Sequence, residues 1–323
     1  MFHLDRRQLI FAGAAGAFLA SSGKAASYPD RPIRVIIPYS AGGVGDAIMR
    51  LLAPGMEKVL AQRLVIESKP GAAGNIGTLE VARASPDGYT LLVAAANNFV
   101  INQFLMKMPV DPLLALAPIS KIAEVPLVLF SNPSVPARNL SEFIAYVHAN
   151  PGKVSYGSPS NGTVNHLFIE RLKQATGMDL THIPYRGSPP AVLALLANEI
   201  QLFPVGLAAG VGHLEPGRLT ALAVATEKRL PMLPQVPTVI ESGFAGFTAA
   251  NWWGLAAPRE TPVEIIERVG QALQEALSPA VIDRFTAMGL LPPQETRQEF
   301  VTSLHAQAVL WSEVIHRGNI SIE

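Results

Sequence analysis

Three short segments carry the residue types that could do chemistry. The first, Arg34-Val-Ile-Ile-Pro-Tyr-Ser-Ala-Gly-Gly-Val-Gly-Asp46, runs from an apolar β-branched stretch into a loop of small residues and then a helix start. Such a loop leaves backbone N–H groups uncovered at the positive end of a helix, an arrangement that suits an anion. It is not a dinucleotide fingerprint. With Gly43 and Gly45 as the first two glycines, the third would fall at Ile48, and no Walker lysine is present. Asp46 either caps the helix or helps to orient a ligand or water. The second segment, Tyr156-Gly-Ser-Pro-Ser-Asn-Gly-Thr163, repeats the design with Ser158, Ser160, Asn161 and Thr163 as neutral hydrogen-bonding groups. His166 follows in the first helical turn, four residues before Glu170. That spacing is open to hydrogen bonding behind a ligand, to plain packing, or to metal binding, for which no third ligand is evident. The third segment, Tyr185-Arg-Gly187, ends another strand, and Arg186 either faces an anion or is solvated. Asn97, in Ala96-Asn97-Asn98, can reach the same place. Trp252 and Trp253, in a crossover segment, either pack or stack on a ligand.

Signals for bond cleavage are poor. The chain has no Gly-x-Ser-x-Gly elbow and no His-Glu-x-x-His pair. Ser158 has no evident base beyond His166. With no cysteine at all, disulfides, cysteine-ligated zinc or iron–sulfur, a cysteine nucleophile and a lipid anchor on an N-terminal cysteine are excluded. Two polar loops at helix starts suit binding better than catalysis. Neither a cofactor nor a metal is expected.

The elements that must position these loops follow from periodicity and punctuation. Short apolar strands alternate with helices, the pattern of an α/β fold. Strands are expected at Ile33–Pro38, Leu64–Glu67, Thr90–Ala95, Leu127–Phe130, Val154–Ser158, Leu180–Pro184, Ile200–Phe203 and Leu219–Ala225. Pro54-Gly55 is expected to kink or stop the first helix. Asn139 with Glu142 reads as a helix start, Thr163 as a cap and Gly177 as a left-handed stop. Ser188 reads as a cap with Pro189 at the first helical position. Capping boxes are read at Thr261–Glu264 and Thr296–Glu299. Val263, Ile266, Val269, Leu273 and Leu277 form one helical stripe, and Phe300, Leu304, Trp311 and Ile315 another.

The chain has 323 residues, 49% of them apolar and only 15% charged, with 25 basic against 25 acidic side chains. The length suggests two domains or lobes. Zero net charge argues against a large nucleic-acid footprint. A mean hydropathy of +0.27 raises the question of a membrane span. The first apolar run, Leu9–Ala20, has 12 residues, short of the ~20 needed to span a bilayer. It follows Arg6-Arg7 and precedes small residues, which makes residues 1–26 a secretory signal peptide. The paired arginines fit either twin-arginine export or an ordinary signal. Ala191–Val211 is interrupted by polar residues and reads as a buried helix, strand and loop. Removal of residues 1–26 leaves 22 basic against 24 acidic side chains. An exported, cysteine-free protein of this kind fits the bacterial periplasm.

The order and spacing of several landmarks resemble the Bug family of periplasmic solute-binding proteins, the receptors of tripartite tricarboxylate transporters. They are Tyr28-Pro29-x-Arg31-Pro32-Ile33-Arg34, Gly42-Gly43-x-x-Asp46, Lys69-Pro-Gly-Ala-Ala-Gly74, Pro86-Asp-Gly-Tyr-Thr-Leu-Leu92, Tyr156-Gly-Ser158, Pro184-Tyr-Arg-Gly187 and Trp252-x-Gly-Leu-x-Ala-Pro258. The resemblance implies a type II two-lobed periplasmic-binding-protein fold, each lobe a mixed or parallel sheet flanked by helices, with a ligand cleft between them. Residues 27–124 plus 255–323 would form lobe 1, and residues 125–254 lobe 2. It further implies a small organic carboxylate gripped from both sides, partly through bridging waters. Tyr39, Ser40, Ala41, Gly42, Gly43 and Asp46, with Asn97, would act from one lobe. Ser158, Asn161, Gly162, Thr163 and His166, with Tyr185, would act from the other. The implied partners are the carboxylate and the membrane permease subunits, with no nucleic acid, and the implied state is a monomer. The alternatives are a protein presenting its ligand to a sensor kinase and a secreted hydrolase built on Ser158 and His166. The sequence departs from the family pattern in two ways. Ala41 stands where proline is common, and Gln201 and Val205 stand where acidic residues are often found.

Overall fold

The computed structural model describes residues 28–322, so the expected signal peptide, 1–26, lies outside the described residues. The β-branched run forms β1 (Ile33–Ile37), which pairs in parallel with β2 (Leu64–Ser68) and β3 (Thr90–Ala95). α1 (Val44–Leu60) and α2 (Asn75–Ala82) make the crossovers. Three short helices, α3 (Ala96–Val100), α4 (Asn102–Leu105) and α5 (Pro112–Ala115), lead into the long strand β4 (Leu116–Ser131). A second set of elements follows. It comprises α6 (Leu140–Ala149), β5 (Val154–Ser158), α7 (Val164–Thr176), β6 (Leu180–Pro184), α8 (Ser188–Leu196), β7 (Leu202–Gly206), α9 (Leu207–Gly210) and β8 (Thr220–Val224). The chain returns through β9 (Ala250–Pro258) and closes with α10 (Val263–Ala276), α11 (Pro279–Ala287) and α12 (Arg297–Gly318).

The strands form one mixed path, β2-β1-β3-β9-β4-β7-β5-β6, with β8 added on β4. β5 is parallel to β6 and β7, while β4 is antiparallel to β7, β8 and β9. The sheet therefore has two halves, each with a parallel portion flanked by helices, joined where β4 runs against β9. The apolar stretch Ala191–Val211 resolves into α8, β7 and α9. Among the described residues no helix is long and apolar enough to cross a membrane.

Four local expectations need correction. β4 starts at Leu116, well before the expected Leu127. Pro118, Lys121, Glu124 and Pro126 disguise its first part, and the register with β9 slips at Pro118/Ser120 and at Lys121/Ala123. Such irregular positions tolerate proline, which cannot donate to the ladder. α1 does not stop at Pro54 but continues to Leu60. Pro54 lies on the solvent face, where water can bond the carbonyl it leaves free, while Met49, Leu52, Met56 and Leu60 stay buried. Gly55 lets α1 approach α10 so closely that a Cβ there would lie 2.8 Å from the Ala276 Cα. The box at Thr261 does not form, because Pro262 is extended and serves as the cap, which puts the first helical residue at Val263. Val263 is accordingly 52% exposed and outside the stripe. At α8 the cap is Gly187, not Ser188. The caps at Asn139, Thr163 and Thr296 form as expected, and the last is a full capping box.

One hydrophobic cluster crosses both halves of the sheet. It joins Ile36 and Leu92 to Leu127, Phe143, Phe168 and Trp311. Phe99, Trp252 and Phe300 pack ring against ring near its centre. Two smaller clusters lie under α1 and α10, and around Phe130 and Phe203. The contact at Gly55 makes a direct test of the α1–α10 packing. Gly55→Val should destabilise the fold by about 1–3 kcal/mol, the usual cost of overpacking. Pro54→Ala, which restores an N–H on the solvent face, should leave stability unchanged or raise it. Urea denaturation of both variants measures the difference.

Candidate functional site

Each sequence segment with chemical potential lies at the C-terminal end of a parallel strand, where α/β sheets place ligands. Hydrogen bonds link these ends in series. Tyr39, after β1, donates its hydroxyl to Asn98 Oδ1 at 2.6 Å, next to the end of β3. Asn97 donates its amide to the Gly162 carbonyl at 2.8 Å, in the loop after β5. The Tyr185 N–H, after β6, donates to the Ser158 carbonyl at 2.9 Å, and the Gly187 N–H to that of Pro159 at 2.8 Å. Four loops from both halves of the sheet are thereby brought into one neighbourhood.

The first loop is built around a helix start that no side chain caps. Ser40, Ala41, Gly42 and Gly43 are exposed, and Gly43 is the extended N-cap of α1. Asp46 is not the cap. It sits in the first turn, buried, with Oδ2 accepting from the Gly42 N–H at 3.1 Å and from Arg50 Nε at 2.9 Å. The hydrogen bond from Arg50, and then that from Gly42, hold its carboxyl below the ordinary aspartate range against the opposing effect of burial. The Trp253 ring packs where a side chain at Gly45 would stand and meets Tyr39 edge-on at 5.3 Å. Trp252 is buried and donates to Gln307, which agrees with packing.

In the second loop most hydroxyl protons are already engaged. Thr163 donates to the Ser160 carbonyl at 2.9 Å and caps α7 by accepting from the His166 N–H. Ser158 is fully buried and donates to the same carbonyl at 2.9 Å. Its oxygen also lies 2.7 Å from His182 Nε2. A carbonyl can only accept, so the single hydroxyl proton of Ser158 goes to Ser160 and His182 must donate from Nε2. His166 takes the opposite role at Nδ1, which accepts from the Gly162 N–H at 3.0 Å and leaves the ring proton on Nε2. Ser160 and Asn161 are exposed. The Tyr185 ring packs beside Gly157 and belongs to the smaller core of that half. Arg186 is exposed, and Gln201 binds the Ser155 N–H and Asn198.

His182 is the residue that sequence reasoning missed. The parallel register of β5 with β6 sets it beside Tyr156, and their rings stack at 4.8 Å. His182 and His166 stack at 3.9 Å, 7° from parallel. The Tyr156 hydroxyl donates to Glu170 at 2.6 Å, and Lys173 donates to the same carboxylate at 2.8 Å. Burial depresses His166 to about 4, with Glu170 opposing, and depresses His182 to about 3, with His166 and Lys173 adding to the effect. Both rings are therefore neutral at ordinary pH. A buried serine that accepts from its histidine cannot pass it a proton, so Ser158 is not arranged as a nucleophile. Among the described residues no three His, Cys, Asp or Glu side chains converge on a common point.

Residues 48–320 match the family described as tripartite tricarboxylate transporter family receptor. The chain is 36% identical over 294 residues to protein BugT of Bordetella pertussis, covering 87% of this chain and 90% of that one. Among solved structures it resembles the periplasmic binding protein BugD at 33% identity and a TM-score of 0.72, covering 91% of this chain and 99% of that one. It also resembles R. palustris Rpa4515 with adipate at 30% identity and a TM-score of 0.76, covering 91% and 100%. The matched family is one of receptors, not enzymes.

The histidine stack generates a pH dependence of stability. An unfolded histidine takes up a proton below about 6.5, whereas the folded rings resist until about 4 and 3. Between those values the unfolded chain binds more protons, so stability falls as pH falls. The urea midpoint should be level above about pH 7 and decline from there towards pH 4, with a shallower slope in His182→Phe. An equal slope in that variant would remove the stack as its source.

Proposed function

The chain belongs to the tripartite tricarboxylate transporter receptor family, and from that membership we propose that it captures a small organic carboxylate between the two halves of its sheet. The single observation that carries this reading is the uncapped start of α1 beneath the exposed Ser40–Gly43 loop. Its free N–H groups and the positive end of the helix suit an anion. The adipate named for a solved relative is an acid of the expected kind.

In this reading residues 27–124 with 255–323 form one lobe and residues 125–254 the other. Tyr39, Ser40, Ala41, Gly42, Gly43 and Asp46 act from the first. Asn161 and the Nε2–H of His166 act from the second, on a loop shaped by Ser158 and Thr163. Both histidines are neutral, and Asp46 is paired with Arg50, so local dipoles and not net charge would hold the ligand. The protein would be exported to the periplasm, act as a monomer and hand its ligand to the permease subunits of a tripartite transporter.

A panel of dicarboxylates, tricarboxylates, aromatic acids and amino acids tests this by thermal shift and calorimetry. An acid present at about 100 times its dissociation constant should add about 2.7 kcal/mol of stability. A panel with no stabilising member would sink the proposal. Ala41→Asp places a like charge on the exposed loop and should weaken the bound acid by at least about tenfold without changing the unfolding midpoint of the free protein. Unchanged affinity would put the site elsewhere.

A further inference from the structure

Gly162 sits at a junction held from three directions. Its N–H donates to His166 Nδ1 at 3.0 Å, within the same half of the sheet. Its carbonyl accepts from Asn97 Nδ2 at 2.8 Å, on α3 of the other half. With φ at +70° it is left-handed, and a side chain there would run into Leu105 of α4 and come within 3.5 Å of Ile322. Glycine adopts this backbone without strain and lets the tip of the Leu105 side chain approach this closely. One residue thus carries a direct hydrogen bond between the halves through the peptide that follows it, while the peptide that precedes it is fixed by a ring inside the second half.

We propose that Asn97 latches the two halves together through the Gly162 carbonyl, and that His166 is the positioning residue, which holds the Gly162 N–H and so sets the residue whose carbonyl meets the latch. The chemistry of each partner fits its role. An amide N–H₂ is a donor that the Gly162 carbonyl can accept, whereas a carboxylate at position 97 would face that carbonyl with a second acceptor. His166 must present an unprotonated Nδ1, and the Gly162 N–H bonds it there. Glu170 and Lys173 on the same helix, and His182 and Tyr156 on the adjoining strands, are the titratable groups around that ring. The latch belongs to the closed arrangement and acts with or without a ligand. It rests on the receptor reading only in calling the two halves mobile.

The absence of native cysteine allows unambiguous labelling. Spin labels on Ile76→Cys and Pro189→Cys, both exposed at the N-terminal ends of α2 and α8, report the distance between the halves. In the ligand-free protein a short-distance population is expected. Asn97→Ala should lower its ratio to the long-distance population about fivefold, equivalent to about 1 kcal/mol, the net worth of one hydrogen bond. Asn97→Asp should lower it further. His166→Phe should match Asn97→Ala, while His166→Asn, which keeps an acceptor near Nδ1, should stay within about twofold of the parent. Distances in Asn97→Ala and Asn97→Asp that equal the parent's, or a parent with only the long distance, would overturn the latch. A His166→Asn protein as open as His166→Phe would overturn the positioning role. All of these distances are read without ligand, so a carboxylate panel that failed would refute the binding reading and leave this result standing.

Discussion

Everything else in the fold hangs from the pairing of β4 with β9. β9 carries β3, and through it β1 and β2. β4 carries β7 and β8, and through β7 it carries β5 and β6. These two antiparallel strands are thus the shared rail of two parallel sheets. Their irregular register is consistent with that task, because bulges increase local twist. A straight, regular ladder would hold the halves in one plane. A twisted one lets the ends of β1, β3, β5 and β6 come together, which is what the chain of hydrogen bonds from Tyr39 to Gly187 records.

The sequence was most legible where the controlling physics is local. The β-branched run at Ile33–Ile37, the caps at Asn139, Thr163 and Thr296 and the stop at Gly177 all depend on residues within one turn of each other. It was least legible where a distant partner decides. Pro54 reads as a breaker until Ala276 is seen packing on Gly55. Pro118 and Pro126 read as loop until β9 is placed beside them. His182 reads as an ordinary strand residue until the parallel register sets it beside Tyr156. The one available sign was a histidine in a strand that follows a Tyr-Gly-Ser strand, and without the register that sign points nowhere.

The candidate site shows the same division at the level of single protons. Composition counted Ser158 and Thr163 as donors, and both are donors, but each gives its proton to the Ser160 carbonyl. In the proposed reading a ligand meets what remains: the uncapped start of α1, the exposed Ser160 and Asn161, and the Nε2–H of His166. Burial disfavours a first proton on either ring, and with the rings stacked at 3.9 Å a proton on His166 would further oppose one on His182. Neutrality here follows from burial and proximity together, neither of which is visible in the spacing of His166 and His182 along the chain.

The hydrophobic cluster that passes from Ile36 through Trp252 to Phe168 and Trp311 has a consequence for how this molecule comes apart. Two globules joined by a hinge would melt one after the other, and a protease could strip one and leave the other intact. Here the halves share an interior, so neither can lose its packing without exposing the other's. The molecule should unfold as a single cooperative unit, with no stable half as an intermediate. A cavity cut near Phe143 would then be felt as far as Ile36 on β1, because the same oil fills both rooms.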